Sequence, residues 1–271
     1  MKKSEKSLIC SYDELSLWAA PFGLKLLEKI EIKGNLKALD LGCGTGFPSI
    51  EIAERMGILS KVFGIDISFE ALKRAQEKSA AFNVKNINFI NADIKNLPFK
   101  DETFDLIVSV NGINNTGNEK RAIEESFRVC RKNGSFAFTV NLPGTMYEFY
   151  RILEKVMKKN EIDGAREKIV NHINEHRKSI TFYRKIISKA KFEIEEIGED
   201  CFKMRFSNGR AMLKHHFIRL WFLKPWKDLV KKGKRYSVFR DLERELNIFS
   251  KGKEGLVLTI PYGFFKCKKK A

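Results

Sequence analysis

An α/β, doubly wound and mostly parallel sheet is the fold class that this 271-residue sequence predicts. Three observations predict it. Short apolar runs alternate with longer segments of helical period between residues 37 and 141. Those runs are apolar throughout rather than at every second residue, as strands covered on both faces require. The first run leads straight into three closely spaced glycines, Gly42, Gly44 and Gly46, and then into a helical pattern. Ligands bind open α/β sheets at such strand-to-helix corners.

The elements follow in order. Ser11-Tyr-Asp-Glu14 has the form of a capping box ahead of Leu15, Leu17 and Trp18, and predicts a short helix. Pro21 and the spacing of Phe22, Leu24, Leu26, Leu27 and Ile30 predict a second. Strands are expected over 37–41, 61–66, 87–93, 104–110 and 134–141, with helices over 46–56, 69–82 and 118–131 between them. Asn133-Gly134 marks the turn into the last of these strands. The crossovers between parallel strands are expected to be right-handed. Beyond Asn141 the pattern predicts helices over 145–160 and 163–191, then a strand and its extension over 191–207. An aromatic-rich segment, a helix within 234–249 and a closing strand over 255–265 complete the chain. The expected organisation is an N-terminal helical cap, 1–34, and a core of 35–207 with 251–267. A helical insertion, 208–250, is read as a cover on the substrate side. The tail "KCKKKA" reads as a frayed basic end.

Glycine weakens strands and helices alike, so three at one corner indicate a close approach to the backbone. The helix that follows offers unpaired N–H groups. Dinucleotides and S-adenosylmethionine are the two cofactor classes that use this arrangement. The spacing here is GxGxG. The dinucleotide pattern GxGxxG would need its third glycine where Phe47 stands. Asp40, ahead of the glycines, would repel a pyrophosphate but suits a ligand carrying a sulfonium and an ammonium. Asp66 ends the second strand roughly 20 residues further on, where an acid can accept both ribose hydroxyls.

"LDLGCGTG", "GIDIS" and "NADIKNLPFKDETFDLIVS" stand at three successive strand ends. Together they resemble the class I, seven-strand S-adenosylmethionine-dependent methyltransferases, most closely the ubiquinone/menaquinone-biosynthesis-type subgroup. The resemblance covers about residues 35–141 and implies a Rossmann-like sheet of seven strands. It implies that Asp40, Gly42, Gly44 and Gly46 line the methionine part of the cofactor. Asp66 would hold the ribose with Ile67 against one face of the adenine, and Asp93 would accept from the adenine amino group with Ile94 on the other face. Asn111 would face the sulfonium and the substrate. Tyr12 and Trp18 are read either as a lid over the cofactor or as core. The implied reaction is in-line transfer of a methyl group, releasing S-adenosylhomocysteine. The leaving group is a neutral thioether, so positioning and water exclusion dominate and a general base is optional. The competing reading of Asp66 and Asp93 is that each caps the turn after its strand. Asn114-Asn115 stand where many relatives carry a histidine or an aromatic residue. "SVNGINN" also lacks the Asn/Asp-Pro-Pro-aromatic sequence of enzymes that methylate nucleic acid bases.

Other residues bound the function. Five scattered cysteines, none in CxxC spacing, exclude a disulfide framework and a structural zinc site. No run is long enough to span a bilayer and no leader is evident, so a cytoplasmic location is expected. His172-Ile-Asn-Glu-His176 matches HxxEH, but two ligands do not make a site; a solvated helix face is the preferred reading and no metal is expected. His215 and His216, among Phe217, Trp221, Phe222 and Trp226, are candidates for a substrate wall with one histidine as base. Core packing is the favoured alternative. Asn111, Asn114, His215 and His216 are the catalytic candidates. The net charge of +17 suits either a polyanion partner or a lysine-rich surface. The leading expectation is a methyltransferase acting on a small, partly apolar or aromatic molecule. The alternatives are an RNA or protein substrate, and a non-catalytic cofactor-binding module.

Overall fold

The computed structural model describes residues 17–251 and 254–270. The Ser11–Glu14 capping box and Tyr12 lie outside the described residues. The chain forms two units. Of the described residues, a sheet unit takes in 17–141, 178–200 and 262–270; a helical unit takes in 142–177, 201–251 and 254–261. The expected insertion 208–250 thus lies within a helical unit that also includes 142–177.

The sheet unit opens with α1 (Ala20–Lys29), which carries Pro21 in its first turn and buries Phe22, Gly23, Leu26 and Leu27. Then β1 (Lys37–Leu41), α2 (Ser49–Met56), β2 (Lys61–Asp66), α3 (Phe69–Ala81), β3 (Ile87–Asn91) and β4 (Phe104–Val110) follow. After a 3₁₀ turn at Ile113–Asn115 come α4 (Glu119–Val129) and β5 (Cys130–Asn141). Capping explains several starts. Ser68 accepts from Ala71 N at the head of α3, and Asn118 accepts from Arg121 N at the head of α4.

The helical unit contains α5 (Tyr147–Lys159) and α6 (Ala165–His176). The single helix expected over 163–191 is in fact two. The chain turns extended at Arg177, with φ −141° and ψ 121°, and Ser179 caps α7 (Ile180–Lys189) by accepting from Phe182 N. β6 (Glu193–Phe206) follows, then α8 (Gly209–Lys214), α9 (His216–Trp221), α10 (Leu223–Asp228), α11 (Arg235–Ser250) and β7 (Leu256–Lys268).

The seven strands lie in the order β3-β2-β1-β4-β5-β7-β6. β1 pairs in parallel with both β2 and β4, while β7 runs antiparallel to β5. Strand order therefore reverses between β1 and β4, which makes their carboxyl ends the switch point of the sheet. The core beneath is apolar: Leu39, Ile65, Ile107, Phe136, Phe138 and Phe265 are all fully buried, and the Phe138 and Phe265 rings stack at 4.7 Å. The tail is not frayed. Lys266–Lys268 continue β7, and Lys269 is buried with Nζ donating to the carbonyls of Phe127 and Cys130 at 3.0 and 2.9 Å. Those carbonyls end α4, where a cation meets the negative end of the helix dipole.

Candidate functional site

The switch point is built from glycine against glycine. Gly42 has φ +74°, and a Cβ there would lie 2.8 Å from the Cα of Gly112. A Cβ on Gly112 would collide with the carbonyl oxygen of Leu41. The ends of β1 and β4 thus touch backbone to backbone, and Ser109 Oγ ties them further by donating to Leu41 O at 2.7 Å. Gly46 has φ +96° and lies against Ile50 and Ala75, which lets α2 and α3 approach the loop. The glycines therefore serve the protein's own packing as well as any ligand. Phe47, which breaks the dinucleotide pattern, has its ring over Gly23 of α1, where a Cβ would overlap it.

Asp40 is 1% exposed. Its Oδ2 accepts from Ser49 Oγ, while Oδ1 has no hydrogen-bond partner. Burial pushes its pKa up to about 7, against the bond from Ser49, and the nearby Asp66 charge adds to the rise. A buried carboxylate with a bare oxygen is costly unless a donor or cation completes it. This orphaned oxygen fits a group with a positive end beside the glycine loop. Cys43, between the glycines, is buried, which raises its thiol pKa well above the ordinary value and leaves it unreactive.

Asp66 uses both oxygens on the backbone: Oδ2 accepts from Gly44 N and Oδ1 from Ser68 N, each at 2.9 Å. Asp93 behaves alike, with Oδ1 accepting from Lys95 N at 2.9 Å and Oδ2 3.4 Å from Lys95 Nζ. Both acids do cap the turn after their strand. A carboxylate offers about four lone-pair sites, so this leaves acceptors for a ligand. Ile67 is 74% exposed and offers an apolar face, whereas Ile94 is only 5% exposed and its side chain has little surface left to offer.

Across the switch point, Asn111 has φ +55° and donates its N–H to Thr139 O at 3.0 Å. Its Oδ1 accepts from Asn141 N at 3.2 Å, and Asn141 Oδ1 accepts from Asn114 Nδ2 at 2.9 Å. Asn111 Nδ2 and Asn114 Oδ1 are buried without partners. The strand ends thus present one free amide donor and one free amide acceptor. Sequence reasoning missed Ser49, Gly112 and Asn141; the Asn-Gly pair ending "SVNG" was the available signal for Gly112.

The other candidates belong to the helical unit. His215 is half-buried between α8 and α9, its Nδ1 without a partner and its pKa lowered by burial and by the neighbouring His216. His216 is exposed. Phe217 and Trp226 are core, as the bland reading of the aromatic stripe expects. His172 and His176 do share a helix face, with ring centroids 5.0 Å apart, but His172 is half-buried and bonded to Tyr150 Oη at 3.1 Å. The solvated face holds for Glu175 and His176, which are exposed, but not for His172. Among the described residues no group of three His, Cys, Asp or Glu side chains is placed to hold a metal. Part of the excess positive charge lines a trough of about 1560 Å³ along α11, with Lys214, Lys232, Arg240, Arg244 and Lys251 among its walls. No described helix is long and apolar enough to cross a membrane.

Comparison with known proteins places the chain in a family. A family model described as a methyltransferase domain matches residues 32–199. The uncharacterized protein MJ1252 of Methanocaldococcus jannaschii is 32% identical over 197 residues, which cover 72% of this chain and 68% of that protein. The demethylmenaquinone methyltransferase of Staphylococcus aureus is 29% identical over 126 residues, 46% of this chain and 50% of the enzyme. The chain thus spans about half the length of such curated enzymes. The phosphoethanolamine N-methyltransferase 2 of Haemonchus contortus, solved with phosphomonomethylethanolamine and S-adenosylhomocysteine, superposes with a TM-score of 0.61 at 15% identity. That match covers 100% of this chain and 58% of that one, and shows a shared fold.

Proposed function

Because the chain belongs to the S-adenosylmethionine-dependent methyltransferases of class I, we propose that it transfers a methyl group to a small, partly apolar or aromatic molecule. The observation that carries the placement of the cofactor is the bare Oδ1 of buried Asp40 beside the positive-φ glycines. A small acceptor is named for the Staphylococcus aureus relative, which supports an acceptor of that size here.

The residues divide the task. Asp40 would compensate the cationic end of the cofactor, Gly42 to Gly46 admit it to the backbone, and Asp66 and Ile67 hold its nucleoside. Bound there, the cofactor supplies an electrophilic methyl on sulfur with a neutral thioether as leaving group. Asn111 and Asn114, fixed through Asn141, would orient the acceptor through the free amide donor and acceptor. Neither amide takes up a proton, so their contribution is positioning, worth most when geometry is held tightly.

Calorimetric titration with S-adenosylhomocysteine, with NAD in parallel, tests the site. Saturable binding of the first alone is expected; no binding, or preference for NAD, overturns the assignment. A panel of phenolic, quinol and amine acceptors then tests the substrate class. A polyanionic acceptor is the second reading, favoured by the trough along α11. Methylation of RNA, with binding that falls steeply as salt rises, would establish it in place of the first.

A further inference from the structure

The helical unit buries a charge of its own. Arg177 is 4% exposed. Its Nη1 donates to Tyr150 Oη at 3.3 Å, and the guanidinium carbon lies 5.6 Å from the centre of the Tyr150 ring. Its Nε is buried without any partner. Among the described residues it makes no ion pair, and Glu175, the acid nearest in sequence, stands 4.0 Å from His176.

Hydrogen-bond accounting around Tyr150 sharpens the point. Tyr150 is 4% exposed, and its hydroxyl meets three groups: Arg177 Nη1, Trp226 Nε1 at 3.1 Å and His172 Nε2 at 3.1 Å. The indole and the guanidinium can only donate, so they occupy both lone pairs of the hydroxyl. Its single proton must then go to His172 Nε2, which makes His172 neutral with its own proton on Nδ1. Burial above all, with His176 and Arg177 adding to it and Glu175 opposing it, lowers the His172 pKa to about 4, in agreement with its neutrality. The hydrogen-bonded cluster of Arg177, Tyr150, His172 and Trp226 therefore carries one full positive charge, has donors to spare and includes no carboxylate. A buried charge without a partner is among the most expensive features a fold can hold. Arg is the side chain best matched to a carboxylate or a phosphate.

We propose that Arg177, with Tyr150 and His172 as its positioning residues, forms an anion site within the helical unit that receives the carboxylate or phosphate group of a small acid. This site does not rest on the methyltransferase reading above.

The test titrates inorganic phosphate and benzoate into the full chain at ionic strength matched with chloride, following heat and thermal stability. At least one is expected to bind saturably and raise the melting temperature, which chloride should not do. Phosphate alone would indicate a phosphorylated ligand, and benzoate alone a carboxylic acid. Arg177→Met should weaken that binding at least tenfold while the anion-free variant melts no lower than the parent, because an uncompensated charge has been removed. Tyr150→Phe, which keeps the ring and frees the guanidinium, should weaken it less. The proposal is overturned if neither anion binds, if binding survives Arg177→Met, or if that variant melts well below the parent in the absence of anion. S-adenosylhomocysteine binding is measured in the same samples, so loss of the cofactor reading and loss of the anion site are distinguished.

Discussion

Among the described residues the sheet unit buries a carboxylate and the helical unit a guanidinium that each keep a buried polar atom without a partner, and the two groups are opposite in sign. In the sheet unit it is Asp40, with a bare Oδ1. In the helical unit it is Arg177, with a bare Nε. Contrast both with Glu125, whose nearly buried carboxylate is held by Arg121 at 3.0 Å, by Arg128 at 2.7 Å and by Leu97 N at 2.9 Å. Those partners hold its pKa below the usual value, with Arg128 the strongest. At Glu125 the fold itself completes the buried charge. Where it does not, a ligand of the opposite sign is the natural complement.

The largest effect that can break this comparison is pH dependence at Asp40. Its folded pKa, about 7, lies above the unfolded value, so the native chain keeps a proton that the unfolded chain has lost. Stability of the ligand-free protein should therefore fall as pH rises from 5 to 8, by about 2–3 kcal/mol. Urea unfolding across that range measures it, and Asp40→Asn should flatten the curve. If the variant keeps the parent's slope, the charge resides elsewhere. Cofactor affinity should move the other way, rising through pH 7 as the carboxylate ionises.

Next in size is Asp66→Ala. It removes the acceptor for Gly44 N as well as the group offered to the ribose, and should weaken S-adenosylhomocysteine by ~1–3 kcal/mol. Unchanged affinity in a folded variant would leave Asp66 with its turn alone. Arg177→Met, by contrast, should leave cofactor affinity within about twofold, since the two charges answer to different ligands. The smallest loss of cofactor binding among the site residues is expected at Ile67. Being 74% exposed, it contributes little to folding, so Ile67→Ser should cost about 1 kcal/mol of cofactor binding and leave the melting temperature unmoved. A fall in melting temperature with full affinity would reverse its assignment from ligand face to core.

What was legible in the sequence was local. The runs at 37–41, 61–66 and 104–110 match β1, β2 and β4 residue for residue, because a buried parallel strand writes its apolar character into consecutive positions. Asp40, the glycines and Asp66 could be picked out because each ends such a run. The complement to each was not legible, since it comes from far along the chain. Ser109 meets Leu41 and Asn141 meets Asn111 only once the strands are ordered. Arg177 sits in "HRKSI", where a basic residue reads as surface; only the fold reveals that it is buried. Lys269 was misread for the same reason, its carbonyl partners at Phe127 and Cys130 being set by β7 lying along β5. The break before α7 was readable, because Ser179 is an ordinary helix N-cap.

The contact between Gly42 and Gly112 bears on how such a molecule can change. Neither position admits even a methyl group without displacing the backbone of the other strand end. The joint is a fixed point for mutation: no single exchange can tune it, and a pair of exchanges worsens the overlap. Variation must therefore accumulate at places that tolerate trial, such as the exposed side chains at the loop ends. The glycine joint is thereby insulated from that variation, so the positions around it can change without rebuilding it.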